Sequence, residues 1–293
     1  MNAPLAPFLP PSSAAAWNAE LRLRYARSGE RTIPVLRSHR GPLRIQKGFT
    51  PEGPDLWHQI IVHPPGGIAS GDVLSMDIGA EPGARVLLTS PGAAKWYRAN
   101  PIAVDPLARQ SLRLSVAAGA SLEWLPLETI VFPGAQAQWQ SRFELSGDAV
   151  LIAADLVCLG RPASGLAFDQ GSIAWSTELT RDGELLFVEQ AEILGDDPIL
   201  QSACGLAGAR AFASLVFSAD SARLAILTEQ VRGLAEREAF EGDWAITALS
   251  GVAILRWRGP GAEAGWRLLR AVWSIARPLL LTRPACAPRI WAT

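Results

Sequence analysis

The sequence predicts a mainly β protein in which many short strands build the body and about two helices lie near the C-terminus. Three observations carry that prediction. Apolar and polar residues alternate with a period of two in several stretches. Short Gly- and Pro-containing turns separate these stretches, and helical periodicity is confined to residues beyond 227.

Each element follows from its own pattern. Residues 20–25 (ELRLRY), 110–116 (QSLRLSV) and 138–145 (QWQSRFEL) put apolar side chains on one face only, as half-buried strands do. Residues 57–62 (WHQIIV) and 73–78 (VLSMDI) read as strands on either side of HPPGGIASGD, residues 63–72. Residues 151–159 (LIAADLVCL) are apolar on both faces, whereas 185–193 (LLFVEQAEI) alternate again. Pro82-Gly-Ala, Ala118-Gly-Ala, Pro133-Gly-Ala and Arg181-Asp-Gly supply the turns. The Gly-Ala pairs at Gly83, Gly119 and Gly134 suggest similar coils stacked on one another, although their unequal spacing is not that of a repeat. Residues 228–237 form a short amphipathic helical candidate. Residues 264–277 place Leu268, Leu269, Val272, Trp273 and Ile275 on one helical stripe, and this helix is expected to stop at Pro278. Of eleven tryptophans, Trp124, Trp139, Trp175 and Trp257 fall in strand patterns and read as core, leaving others for an interface.

Composition narrows the function classes. Of 293 residues, 49% are apolar and 19% charged, with a net charge of −1. That balance lacks the basic footprint of nucleic-acid binding. Residues 1–16 read as a loose tail, with four prolines in the first eleven positions and no basic start, and residues 17–293 as a single domain. No apolar run is long enough to span a bilayer. Cys158, Cys204 and Cys286 are few and scattered, which fits a reducing compartment, so a cytoplasmic location is expected.

Residues 63–72 match neither phosphate-loop spacing nor the dinucleotide fingerprint, and a strand-like segment follows them. They read as a structural corner: glycine permits positive φ and proline fixes φ. His58 and His63 lie five apart on a strand, so they point to opposite faces, and no cysteine accompanies them; His63 reads as a hydrogen-bonded corner residue. No serine or cysteine has an assignable base, although Ser90 or Ser164 would be the candidates for a hydrolase. The internal acids are more informative. Asp155 lies in a doubly apolar strand, Glu189 shares a face with Phe187, Ala191 and Ile193, and Asp72 closes the glycine corner. A buried carboxylate costs several kcal/mol unless it is paired or hydrogen-bonded. Each therefore either pairs with an arginine such as Arg161, caps a turn, or lines a wet interior path for a cation.

Several collinear segments resemble one family. HPPGGIASGD (63–72), LTSPGAAKWYR (88–98), LEWLPLETIVFP (122–133) and CLGRPASG (158–165) are similar to the urease accessory family UreD, also called UreH. GPLRIQK (41–47), VWSIARP (272–278) and PRIWAT (288–293) look like its ends, so the likeness runs from about Trp17 to Thr293. The motif positions it picks out are Gly66, Gly67, Gly71, Lys95, Arg161 and Pro162. Ser70 stands where the family commonly has glycine, Ala94 where it has a hydroxyl residue, and Trp96 where it has phenylalanine.

The resemblance implies a coiled, β-solenoid-like body and a maturation factor that is not an enzyme. Such a protein works as a scaffold or chaperone with UreF and the GTPase UreG on the urease apoprotein, in an arrangement compatible with a dimer of heterotrimers. It helps insert nickel into the urease active site, with UreE as an indirect nickel donor. No cofactor is implied as permanently bound: Ni²⁺ is in transit and GTP belongs to UreG. Asp72, Asp155 and Glu189 match acidic positions expected along an internal nickel path; His63 is a lesser metal candidate. A β-rich interaction scaffold without a direct role in metal transfer is the alternative.

Overall fold

The structure is a computed structural model and describes residues 16–292; most of the expected N-terminal tail lies outside the described residues. Strand accounts for 47% and helix for 16%. The chain shuttles between two sheets. Strands β4 (Leu56–Val62), β6 (Arg85–Thr89), β9 (Ser121–Trp124) and β12 (Val150–Leu159) belong to sheet two. Each leads, through a corner, to a strand of sheet one: β5 (Val73–Ala80), β8 (Ala108–Val116), β11 (Gln136–Leu145) and β13 (Ser172–Arg181). Within each sheet these successive strands pair in parallel, so the body is a coil of stacked two-strand layers. Neither sheet closes on itself.

One parallel pairing, β1 with β5, and several antiparallel ones extend the coil. β1 (Asn18–Ser28) joins sheet one beside β5 and carries β2 (Arg31–Arg40) at the edge, while β14 (Glu184–Leu194) forms the opposite edge. β15 (Ala211–Ser218), β17 (Val252–Gly259) and β16 (Asp243–Leu249) add to sheet two beyond β12, and β3 (Arg44–Ile45) pairs with β4 at its other end. A small parallel ladder links β7 (Ala94–Trp96), β10 (Thr129–Val131) and β12.

The Gly-Ala corners at Gly83 and Gly119, with the Gly147-Asp148-Ala149 turn, explain how the coils stack. Ala84, Ala120 and Ala149 each donate a hydrogen bond to the carbonyl three residues earlier (2.9–3.1 Å), and Gly83, Gly119 and Gly147 hold positive φ. Successive corners are joined by Ser121 N–H to Ala84 C=O (2.9 Å) and Val150 N–H to Ala120 C=O (3.1 Å). The alanines are fully buried, so no larger side chain would fit the shared edge. The Gly134-Ala135 turn corrects part of the expected equivalence: it sits at the opposite edge, where Gly134 N–H bonds Gln170 C=O (2.8 Å).

β12 reads as apolar on both faces because both faces are covered. Ala153 and Val157 face sheet one, whereas Ile152, Ala154 and Leu156 face a helical layer. That layer comprises α1 (Ser221–Arg232), a short turn α2 (Leu234–Arg237) and α3 (Ala262–Leu281). The first helix begins seven residues earlier than its apolar pattern indicates, because Asp220 caps it by accepting from Arg223 N–H (2.9 Å). The helix predicted to stop at Pro278 runs on to Leu281 and ends at Thr282, which takes a left-handed φ of 54°. Its last turn is held by the burial of Arg277, Leu280 and Leu281, and packing there outweighs the one backbone donor that proline removes. Gly265 lets α3 approach the sheet: a Cβ there would lie 2.6 Å from Leu156 Cδ1 and 2.9 Å from the Trp257 ring. Burying each large apolar side chain of α3 contributes roughly 1.5–3 kcal/mol.

Candidate functional site

Residues that share a register row in a sheet share a face. In sheet two, Asp155 pairs with Ser214, which pairs with Arg256. In sheet one, Glu189 pairs with Thr177, which pairs with Ser141. These two polar rows face each other across the gap between the sheets, because the side chains flanking them in sequence, Ala153, Val157, Phe143 and Phe187, belong to the inter-sheet core. A cavity of about 310 Å³ occupies that gap and is lined by Asp155, Glu189, Ser141, Thr177 and Ser214 together with apolar and aromatic groups.

An aromatic ladder walls the cavity beside the polar rows. Trp96 lies 5.8 Å from Trp139, Trp139 stacks on Trp175 at 5.9 Å, and Trp175 stacks on Phe212 at 5.2 Å between ring centroids. These are strand tryptophans in core positions, and the replacement Trp96 is buried within the ladder.

The two acids differ in their electrostatics. Asp155 makes no ion pair with a basic side chain among the described residues; Trp139 donates a hydrogen bond to it. Burial pushes its carboxyl up to about 6, against the lowering effect of the Trp139 bond and with help from the nearby charge of Glu189. Glu189 meets Arg256 at 2.9 Å, and their side chains are 19% and 58% exposed. Glu189 is therefore paired with an arginine, but a surface one on the opposite sheet, and Glu189 itself lines the cavity instead of dry packing.

The other predicted residues divide. His63, Gly66, Gly67 and Lys95 belong to the cavity wall, at the corner between β4 and β5 and the neighbouring β7. His63 departs from expectation: its Nε2 is buried without a hydrogen-bond partner among the described residues, and only its backbone carbonyl serves the turn, accepting from Gly66 N–H (3.0 Å). Burial holds its imidazole below the usual histidine range, against the pull of Asp72. Asp72 is not among the residues lining the cavity. Its Oδ1 accepts from Trp17 N–H (2.7 Å) and its Oδ2 from Ala69 N–H (2.8 Å), so it pins the corner. Gly66 and Gly71 have φ of 80° and 78° there, and Ser70 Oγ accepts from Asn100 N–H (2.7 Å). Arg161 lies over the Phe132 ring at 5.1 Å, and Pro162 opens a single helical turn, both away from the acids. Ser90 closes a turn, donating to Gly92 C=O (3.0 Å) and accepting from Leu127 N–H (2.8 Å).

A second polar cluster escaped the sequence reading. On the helix-facing side of sheet two, Arg277 is fully buried and binds Glu52 (2.7 and 2.8 Å) and Glu123 (3.2 Å). Glu123 also accepts from Trp273 Nε1 (2.7 Å), and His58 Nε2 bonds Glu52 (2.8 Å). Burial raises Glu52, but hydrogen bonds from His58 and Arg277 and the arginine's charge outweigh it and hold the carboxyl at about 2. The signal was present: VWSIARP carries an arginine within an apolar helical stripe, and LEWL carries a glutamate inside a buried strand. His58 faces this cluster and His63 the cavity.

Among the described residues, no group of three or more His, Cys, Asp or Glu side chains converges as a metal site, and no helix is long and apolar enough to cross a membrane. Two facing carboxylates on a polar wall suit loose contact with a hydrated cation better than tight storage.

Fold and site together define a mainly β, coiled protein with an acid-bearing cavity between its two sheets. The family model described as UreD urease accessory protein matches residues 18–292, and the chain belongs to that family. It is 47% identical over 293 residues to a Pseudomonas fluorescens protein named Urease accessory protein UreD, covering 100% of both chains. Proteins of the same name from Pseudomonas savastanoi pv. phaseolicola and Nitrosococcus oceani are 46% and 42% identical, over 95% of this chain and 96% and 91% of theirs. The role of urease accessory protein follows from that membership.

Proposed function

We propose that this chain is a non-catalytic scaffold that joins UreF and UreG in a cytoplasmic assembly on the urease apoprotein, and that Ni²⁺ passes through the cavity between its sheets on the way to the urease active site. The observation that carries the reading is that Asp155 and Glu189, one from each sheet, face a single internal cavity. In a passage, binding must be strong enough to admit the ion and weak enough to release it. Carboxylates, hydroxyls and a neutral His63 imidazole meet that condition, whereas a thiolate cage would hold the ion. Nickel is cargo here, and GTP chemistry belongs to the partner GTPase. Asp72 serves the path indirectly, by fixing the corner that carries His63.

The Glu189–Arg256 ion pair favours a second reading, in which the acids tie the sheets together and the chain acts only as an interaction scaffold. Co-purification with UreF and UreG, followed by urease activation with nickel and GTP, separates the two. The passage reading expects Asp155→Ala and Glu189→Ala to form the assembly and fail in activation. Normal activation by both variants would leave the interaction scaffold standing.

A further inference from the structure

We infer that Arg256 is the resident counter-ion of the two-carboxylate site, and that a divalent cation binds there by displacing it. This inference rests on the passage reading above. Arg256 occupies the same register row as Asp155, with Ser214 between them, so all three project from one wall toward the other sheet. Glu189 projects from the facing wall and closes the contact with Arg256 at 2.9 Å. The guanidinium pairs with Glu189 alone, and Asp155 makes no ion pair with a basic side chain among the described residues. The site is left with a negative charge that a monovalent side chain does not fully neutralise, and a divalent ion would.

The pair is also weakly held. Arg256 is more than half exposed, and exposed ion pairs contribute little because solvent screens them and both side chains lose freedom. β14 is the edge strand of sheet one, and β17 lies one strand from the edge of sheet two. The guanidinium can therefore swing into solvent without disturbing a core contact. By contrast, Arg277 is fully buried and multiply bonded, and could not leave its acids. With Arg256 in place the Glu189 carboxylate is neutralised; vacated, the site presents Glu189 and Asp155 together with the Ser214 and Thr177 hydroxyls. Arg256 acts through Glu189 and is a positioning residue for the cargo.

Calorimetric titration of the full chain with Ni²⁺ alone tests this. Arg256→Gln is expected to bind Ni²⁺ about threefold to tenfold more tightly than the parent chain, reflecting loss of a weak competitor and its repulsion. Arg256→Lys, which restores the charge, should return affinity to the parental value. Asp155→Asn and Glu189→Gln should weaken binding, and Glu189→Gln should abolish the gain from Arg256→Gln in the double variant. If the acid variants weaken binding but Arg256→Gln matches the parent, the counter-ion role falls while the passage reading stands. If the acid variants bind as the parent does, or no variant binds, the passage reading falls and this inference with it. Circular dichroism of each variant confirms that the fold is retained.

Discussion

Arg277 and Glu123 stand 154 positions apart in the chain and meet at 3.2 Å between α3 and sheet two. Glu52 completes the cluster from the loop before β4, so three distant segments share one buried charge network. Removing the arginine would leave two buried acids without compensation. Arg277→Met is expected to lower unfolding stability by about 3–5 kcal/mol, read from urea denaturation near pH 7. A loss below about 1 kcal/mol would show that the cluster contributes little to anchoring α3.

The same cluster sets an acid limit. Glu52 is held at about 2, well below the ordinary carboxyl value of 4.5. Its folded-state value is depressed, so its contribution is fully present above pH 4.5 and is lost as the pH falls toward 2. Stability measured from pH 6 down to pH 2 should decline through that window, and Glu52→Gln should flatten the decline.

Asp155 behaves with the opposite sign. Its folded-state value of about 6 lies above the ordinary 3.8, so the native state holds the proton more tightly than the unfolded chain. Its contribution to native stability is therefore most favourable below pH 4 and erodes as the pH rises from about 4 to 6. Asp155→Asn is expected to stabilise the protein at pH 8 by roughly 2–3 kcal/mol and to have little effect at pH 4. Equal effects at both values would show that the carboxyl is not desolvated. A stabilised variant that fails in urease activation would be the mark of a functional residue kept at a cost to the fold.

The two glycine corners should respond differently to alanine. A Cβ at Gly160 would lie 2.5 Å from Leu166 C=O and 2.8 Å from Phe168 N, at a φ of +75°. Gly160→Ala is expected to cost about 2–4 kcal/mol. At Gly67 the obstacle is the exposed Tyr97 ring, which can turn aside, and φ is not positive. Gly67→Ala should melt within a few degrees of the parent. Comparable losses for the two would contradict the backbone account of the CLGRP corner.

Much of the fold was legible because strand alternation and Gly-Ala punctuation are local signals. β8, β11 and β14 were recognised to within two residues at each end, and β1 to within three, since one face of each alternates. The start of α1 was missed because Asp220 caps a turn with few apolar residues, and the end of α3 because a local rule about proline yielded to packing. Asp155 and Glu189 were visible as acids among apolar neighbours. Their shared cavity depends on which strands coil past one another, and that is a property of the whole chain. Arg256 was invisible for the same reason: an arginine in an alternating strand reads as solvent-facing until its partner strand is known. The Arg277 cluster left a local signal, an arginine in an apolar helical stripe and a glutamate in a buried strand, but their pairing depends on how α3 packs on sheet two.

The most direct test of the central claim is the nickel content of urease apoprotein after incubation with the reconstituted assembly, Ni²⁺ and GTP. The account predicts that Asp155→Ala and Glu189→Ala assemblies form normally yet leave the urease largely without nickel. Glu144→Gln, which removes only the exposed partner of Arg113, should load it fully. Full nickel loading by the Asp155→Ala and Glu189→Ala assemblies would contradict an ion route between the sheets.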